Sequence, residues 1–163
     1  MNIEFVIAAD YQLLEIQKLA KTIWPRVFGE ILSMEQLDYM LDLIYSQTAL
    51  ERQKMEGQVF VLVKKEHQFI GFLAYQVFNE KTKIHKLYLL PEEHGKGFGI
   101  AMINFVIDIV KAIPQSILYL NVNKYNKAKL FYEKFGFILT AEEVIDIGKG
   151  YVMDDFVMTY EIK

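Results

Sequence analysis

The chain has 163 residues, 53% of them hydrophobic and 14% aromatic, with a net charge of −3 and no cysteine. That size and apolar content suit one domain spanning residues 1–163 with a proper core, and the mildly acidic balance recommends no nucleic-acid partner. The lack of cysteine excludes disulfides, thiolate metal sites and a cysteine acyl intermediate; with no apolar run near the roughly 18 residues of a membrane span, the expectation is a cytoplasmic protein without a membrane partner.

Residues 2–7 read as a short strand; with an acid, Glu4, inside it, the start is not a signal peptide. Asp10 then reads as the N-cap of a helix carrying Leu13, Leu14, Ile16 and Leu19, broken at Trp24-Pro25. Ser33-Met-Glu-Gln36 has the form of a capping box, and Leu37, Met40, Leu41 and Ile44 follow at i, i+3, i+4, i+7 on one helix face. Residues 47–57 are polar and carry no clear period. Two strands follow at 58–64 and 69–78, joined by a tight connection at Glu66-His67-Gln68. A strand over 83–90 leads into a glycine-rich loop. The helix after it, 99–112, has one polar stripe of Asn104, Asp108 and Lys111, so it covers a sheet. Residues 117–122 form another strand, 126–134 a helix ending at Gly136, and 137–146 with 151–162 a closing hairpin around Gly148-Lys149-Gly150. Short connections pair neighbours antiparallel and helical crossovers pair them parallel. The order β-α-α-β-β-β-α-β-α-β-β is thus an α/β fold: a mixed, mostly antiparallel central sheet flanked by helices.

The centre of this plan is Leu87-Tyr-Leu-Leu-Pro-Glu-Glu-His-Gly-Lys-Gly-Phe-Gly-Ile-Ala-Met102. Pro91 ends the strand because it has no N–H for the ladder. Gly95, Gly97 and Gly99 let the backbone turn and approach a ligand closely. The helix beyond begins with unpaired N–H groups and a positive dipole end, which together suit an anion such as a phosphate, with Lys96 adding a charge. A P-loop needs G-x-x-x-x-G-K-[ST], which this loop lacks. A dinucleotide fingerprint needs a sixth-position glycine, here Ile100 or Met102, and a later acid where Tyr119, Leu120 and Asn121 stand.

The stretch resembles the signature loop of the GNAT superfamily of acyl-CoA N-acyltransferases, [Gln/Arg]-x-x-Gly-x-[Gly/Ala], here His94-Gly-Lys-Gly97-Phe-Gly99. It follows a strand ending Leu89-Leu90-Pro91, and His94 replaces the usual Gln or Arg. A second stretch, residues 120–137, resembles the other half of that superfamily's site, A-x-x-x-Tyr-x-x-x-Gly-Phe, here Ala128, Tyr132, Gly136 and Phe137. The approach to Ala128 is one residue shorter than the commonest form; Asn126 matches the asparagine near the pantetheine arm, or Tyr125 if the gap falls elsewhere. The two motifs cover about residues 83–137.

The resemblance implies the acyl-CoA N-acyltransferase fold, acetyl-CoA as cosubstrate without a metal, and transfer to a primary amine: a small amine or polyamine, or else a protein N-terminus or lysine. It implies coenzyme contacts at Leu87, Tyr88, Leu89, His94, Gly95, Lys96, Gly97, Phe98, Gly99, Ile100 and Asn126. A backbone N–H near Leu89 would face the thioester oxygen, and the Tyr132 phenol would protonate the departing thiolate. The superfamily's pattern puts the acceptor by the first helices and the last hairpin, around Trp24, Phe28, Tyr39 and Tyr45, where ordinary core packing competes; many relatives are homodimers. For the base, His85 shares a strand face with Leu87 and Leu89 by alternation. Asp154-Asp155 interrupts a hydrophobic strand, so one carboxylate points inward unless the pair marks a bulge. The alternative to an enzyme is a non-catalytic acyl-CoA-binding module.

Overall fold

The computed structural model describes residues 2–163; Met1 lies outside them. A seven-stranded sheet runs in the order β1-β2-β3-β4-β5-β7-β6. Its strands are β1 Ile3–Ile7, β2 Val59–Lys65, β3 Gln68–Val77, β4 Thr82–Leu89, β5 Ile117–Asn123, β6 Ile138–Gly148 and β7 Tyr151–Glu161. All neighbouring strands pair antiparallel except β4 and β5, which are joined through a helical crossover and run parallel. The mixed, mostly antiparallel sheet expected from the sequence is the one observed.

Helices α1 Leu13–Phe28, α2 Met34–Tyr45 and α3 Gln47–Met55 precede β2; α4 Phe98–Lys111 links β4 to β5, and α5 Ala128–Phe135 links β5 to β6. The β2 run Phe60-Val-Leu-Val63 is buried throughout, as a central strand covered on both faces must be. On α4, Asn104, Asp108 and Lys111 are exposed and Met102, Ile103, Val106, Ile107 and Val110 buried, so the wet stripe is where the sequence put it. The closing hairpin turns through Lys149 and Gly150, both at positive φ (53° and 80°), the type I′ geometry that matches strand twist.

Three expectations need correction, and one unassigned stretch gains a structure. Asp10 does not cap α1: it opens a short 3₁₀ turn, Asp10–Gln12, whose cap position is Ala9, and its carboxylate pairs with Lys54. Pro25 does not end α1, which continues to Phe28. A proline inside a helix costs about 3 kcal/mol. The following turn is held by Phe28, 5% exposed, whose ring packs on Trp24 at 4.6 Å and Tyr88 at 6.4 Å. The capping box is half formed: Ser33 Oγ accepts from Gln36 N–H at 3.1 Å, but the Gln36 amide donates to the Val152 carbonyl at 3.2 Å, tying α2 to the hairpin. The polar stretch at 47–57 is helical: Ser46 caps α3 through the Ala49 N–H, and Leu50 is fully buried.

Candidate active site

β4 and β5 pair over Thr82–Ile84 and Leu118–Leu120 and then part. β4 stays bound to β3 as far as Leu89, and β5 to β7 as far as Asn123. The result is a V in the sheet whose inner edges carry unpaired backbone groups. The Leu90 N–H goes to the Ile70 carbonyl of β3 at 2.8 Å. By alternation the Leu89 and Leu87 N–H groups point the other way, into the V, and that of Tyr88 points to β3. Of the three β4 residues expected at the coenzyme, two therefore offer backbone donors there. Tyr88 sends its ring against Trp24, Phe28 and Phe72 at 5.9, 6.4 and 5.6 Å.

At the mouth of the V the chain turns through Pro91–Glu93, His94 and the glycine loop. Gly95 and Gly97 hold φ of 76° and 83°, which L side chains rarely adopt, and nothing lies within 4 Å of a Cβ built on Gly95. The first backbone bond of α4 runs from the Ala101 N–H to the Gly97 carbonyl at 3.1 Å, which leaves the N–H groups of Phe98, Gly99 and Ile100 free of helical partners. This open cradle at a helix N-terminus fits a pyrophosphate.

Gly99 does different work from the other two glycines. Its φ is ordinary, and an added Cβ would sit 2.9 Å from Phe131 Cζ, so its smallness lets α4 close on α5. Lys96 is not a free charge: it donates to Glu93 at 3.1 Å, and Lys65 binds the same carboxylate at 3.0 Å. His94 folds back, its Nε2 lying 3.1 Å from the Leu89 carbonyl at the edge of the V. Asn126 Oδ1 accepts from the Ala128 N–H at 2.9 Å and so fixes the start of α5, with its amide nitrogen left to donate. Tyr132 is 7% exposed, wedged between Phe131 and Phe137 at 5.3 and 5.6 Å. Burial pushes its phenol pKa up, so it keeps its proton at neutral pH.

His85 is not where alternation put it. β3 pairs Ala74 with Lys86 and Tyr75 with Ile84, so His85 is the extra residue of a bulge and leaves the face of Leu87 and Leu89. Its Nε2 meets Gln76 Oε1 at 2.9 Å, and Gln76 in turn donates to the Glu56 carbonyl at the end of α3. Burial, then Lys83 and Lys86, draw its pKa down to about 3, which leaves a neutral and weakly basic ring. Asp154 and Asp155 sit in unbroken β6–β7 register, and Asp155 in β5–β7 register as well, so no bulge explains the pair. Asp154 meets Lys124 at 3.0 Å, and Asp155 points inward at 3% exposure. Trp24, Phe28 and Tyr45 are core; Tyr39 reaches the hairpin, donating to the Ile147 carbonyl at 2.5 Å.

Two polar features had no signal strong enough to single them out. Lys86 is buried with its ammonium on Gln53 and Gln58, which only the packing of α3 on β4 reveals. Asn121, in the alternating Leu-Asn-Val-Asn of β5, donates to Asp155 at 3.3 Å. Among the described residues no cluster of His, Cys, Asp or Glu is arranged to hold a metal, and no helix is long and apolar enough to cross a membrane.

A sheet split beside a glycine-turned helix N-terminus, with a buried tyrosine on α5, suits an acyl-group transferase. Residues 29–153 match the model of the acetyltransferase (GNAT) domain, and the chain belongs to that family as an acetyl-CoA-dependent acetyltransferase. It is 27% identical over 124 residues to the [ribosomal protein bS18]-alanine N-acetyltransferase of Haemophilus influenzae, covering 76% of this chain and 80% of that one. Its fold matches the PaiA N-acetyltransferase of Thermoplasma acidophilum, solved in complex with coenzyme A, with TM-score 0.82 at 23% identity over 99% of both chains. The ribosomal-protein-S18-alanine N-acetyltransferase of Escherichia coli matches with TM-score 0.73 at 15% identity, over 99% of this chain and 95% of that one.

Proposed function

We propose that the protein moves the acetyl group of acetyl-CoA directly to the primary amine of a cationic acceptor, a small amine or polyamine. The observation that carries this reading is the V between β4 and β5, into which the Leu87 and Leu89 N–H groups point by alternation; Tyr132, near Tyr88 of β4 and kept protonated by burial, supports it. The glycine loop and the first turn of α4 bind the pyrophosphate through backbone N–H groups, with Asn126 beside the pantetheine arm. The Leu89 N–H donates to the carbonyl oxygen as charge builds there, and Tyr132 gives its proton to the leaving thiolate. With no cysteine to carry the acetyl group, transfer takes place within a ternary complex. The neutral, weakly basic ring of His85 is not the proton acceptor in this reading.

A second acceptor, the N-terminus of a protein, is favoured by the similarity to a bS18-alanine N-acetyltransferase. Acetyl-CoA-dependent thiol release, measured with polyamines, aminoglycosides, amino acids and alanyl peptides, separates the two. The absence of cysteine removes background from the protein itself. Release with one amine class is expected, with kcat lowered about 100-fold in Tyr132→Phe, within the range that a positioned acid contributes. Undiminished turnover in Tyr132→Phe would remove the phenol from the mechanism.

A further inference from the structure

The site as described gives a proton to sulfur, yet nothing in it takes one from the acceptor. An alkylammonium with a pKa near 10.4 is neutral only about once in a few thousand molecules at pH 7, so the transfer needs a group that does. Asp155 is placed for it. Its strand partner on β5 is Asn123, and its side chain meets Asn121, the first β5 residue beyond the last pair with β4. The carboxylate therefore lies at the apex of the V, near the phenol of Tyr88, which in turn lies near that of Tyr132.

What surrounds Asp155 leaves it short of a donor. Asn121 Nδ2 reaches Oδ2 at 3.3 Å, a long bond. Glu143 faces it from β6 and Asp154 adjoins it on β7, both adding negative charge; Lys83 of β4 acts on it from a distance. Among the described residues it forms no ion pair within 4.0 Å, whereas its neighbour Asp154 takes Lys124. Burial of this kind costs several kcal/mol for an ionised carboxylate, and here it raises the proton affinity of the group. The Asn121 Oδ1 beside it is buried and, among the described residues, has no hydrogen-bond partner. An anionic acceptor with one long bond and, beside it, a neutral acceptor without a donor among the described residues suit the N–H donors of a primary ammonium.

We propose that Asp155, aided by Asn121, binds the ammonium of the acceptor and removes its proton; this rests on the acetyl-transfer reading above. The ammonium gives one proton to the carboxylate, leaving a neutral amine and a carboxylic acid. The amine lone pair forms the C–N bond to the acetyl carbonyl carbon, and the C–S electron pair departs with sulfur, which takes the phenol proton of Tyr132. The surplus proton on the new amide nitrogen restores Tyr132, and Asp155 releases its own to solvent, so each turnover frees one proton. The same chemistry serves a polyamine or a peptide N-terminus.

The test compares wild type, Asp155→Asn and the exposed control Glu161→Gln, further along the same strand, with spermidine and with an alanyl peptide, and the arm that turns over names the source of the amine. Expected for Asp155→Asn is a kcat/KM at pH 7 lowered 100-fold or more. Its rate should climb tenfold per pH unit until the amine itself deprotonates, with unchanged coenzyme A affinity and a wild-type control. In parallel, the Asp155 carboxyl carbon is followed by NMR in coenzyme A-loaded protein, assigned by its loss in Asp155→Asn, while either amine is added; a shift is expected. Turnover with an unaltered rate and pH profile in Asp155→Asn overturns the inference and leaves acetyl transfer standing. A shifted Asp155 signal with neither amine acetylated upholds the amine subsite and refutes the transfer reading. Neither turnover nor shift refutes both.

Discussion

Lys86 offers a quantitative check on how β4 packs against α3. Its ammonium donates to Gln53 Oε1 at 2.6 Å and Gln58 Oε1 at 2.8 Å, beneath the rings of Phe60 and Tyr45 at 5.2 and 5.9 Å. It is 6% exposed, and burial, followed by the charge of Lys83, draws its pKa from 10.5 down to about 7. Between those two values the unfolded chain holds a proton that the folded chain has lost, so the stability of the fold rises with pH across that window. Each pH unit inside it contributes up to about 1.4 kcal/mol, or roughly 3–6 °C in Tm for a domain of this size. Lys86→Met keeps an unbranched apolar stem in the same slot and removes the titration. It also strips a donor from the buried Gln53 oxygen and the half-buried Gln58 oxygen, a loss of about 1–3 kcal/mol at the buried one that does not vary with pH. Thermal unfolding of both proteins from about pH 6 to 10 should show the wild type gaining on the variant from about pH 7 upward, with a level difference below. A difference that stays level throughout would mean that the ammonium is solvated and that α3 does not cover it as described.

Two further outcomes test the glycines. Gly95→Ala, at φ 76° in open space, should fold with a backbone strain of about 1–2 kcal/mol and bind coenzyme A more weakly by calorimetry; undiminished affinity would remove the loop from the pyrophosphate site. Gly99→Ala should lower Tm although alanine favours a helix by about 1 kcal/mol, because its Cβ meets Phe131 at 2.9 Å; Phe131→Leu in the same chain should recover the loss, and a raised Tm in the single variant would refute the packing role.

The local sequence determined a good deal of this protein. Helix faces such as that of α4, the positive-φ glycine that ends α5 at Gly136, the hairpin at residues 148–150 and the positive-φ turn before α4 are all set by residues within a turn or two of one another. Periodicity and glycine placement report such short-range constraints directly. The two motifs also led the sequence reading to join Tyr132 and the glycine loop in one expected site; in the fold the loop follows the free end of β4, and Tyr132 lies near Tyr88 of that strand.

Other features depend on residues far apart in the chain, and only the tertiary structure decided them. Pro25 stays inside α1 because the aromatic packing of Phe28 on Trp24 and Tyr88 holds the turn beyond it. His85 leaves its expected face because β3 offers one residue fewer than β4 presents, a register that no reading of β4 alone contains. Gly99 is small for the sake of Phe131, and Lys96 is tied to Glu93 together with Lys65, a residue of a distant strand. The inward direction of one of the two aspartates could be read from alternation. That it is Asp155, and that it lies buried beside Asn121 at the apex of the V without a cation, follows from the pairing of β7 between β5 and β6. Local propensity sets which way a side chain can point; the identity of what it meets there, and with it the charge state and chemistry of the site, is a long-range property of the packed sheet.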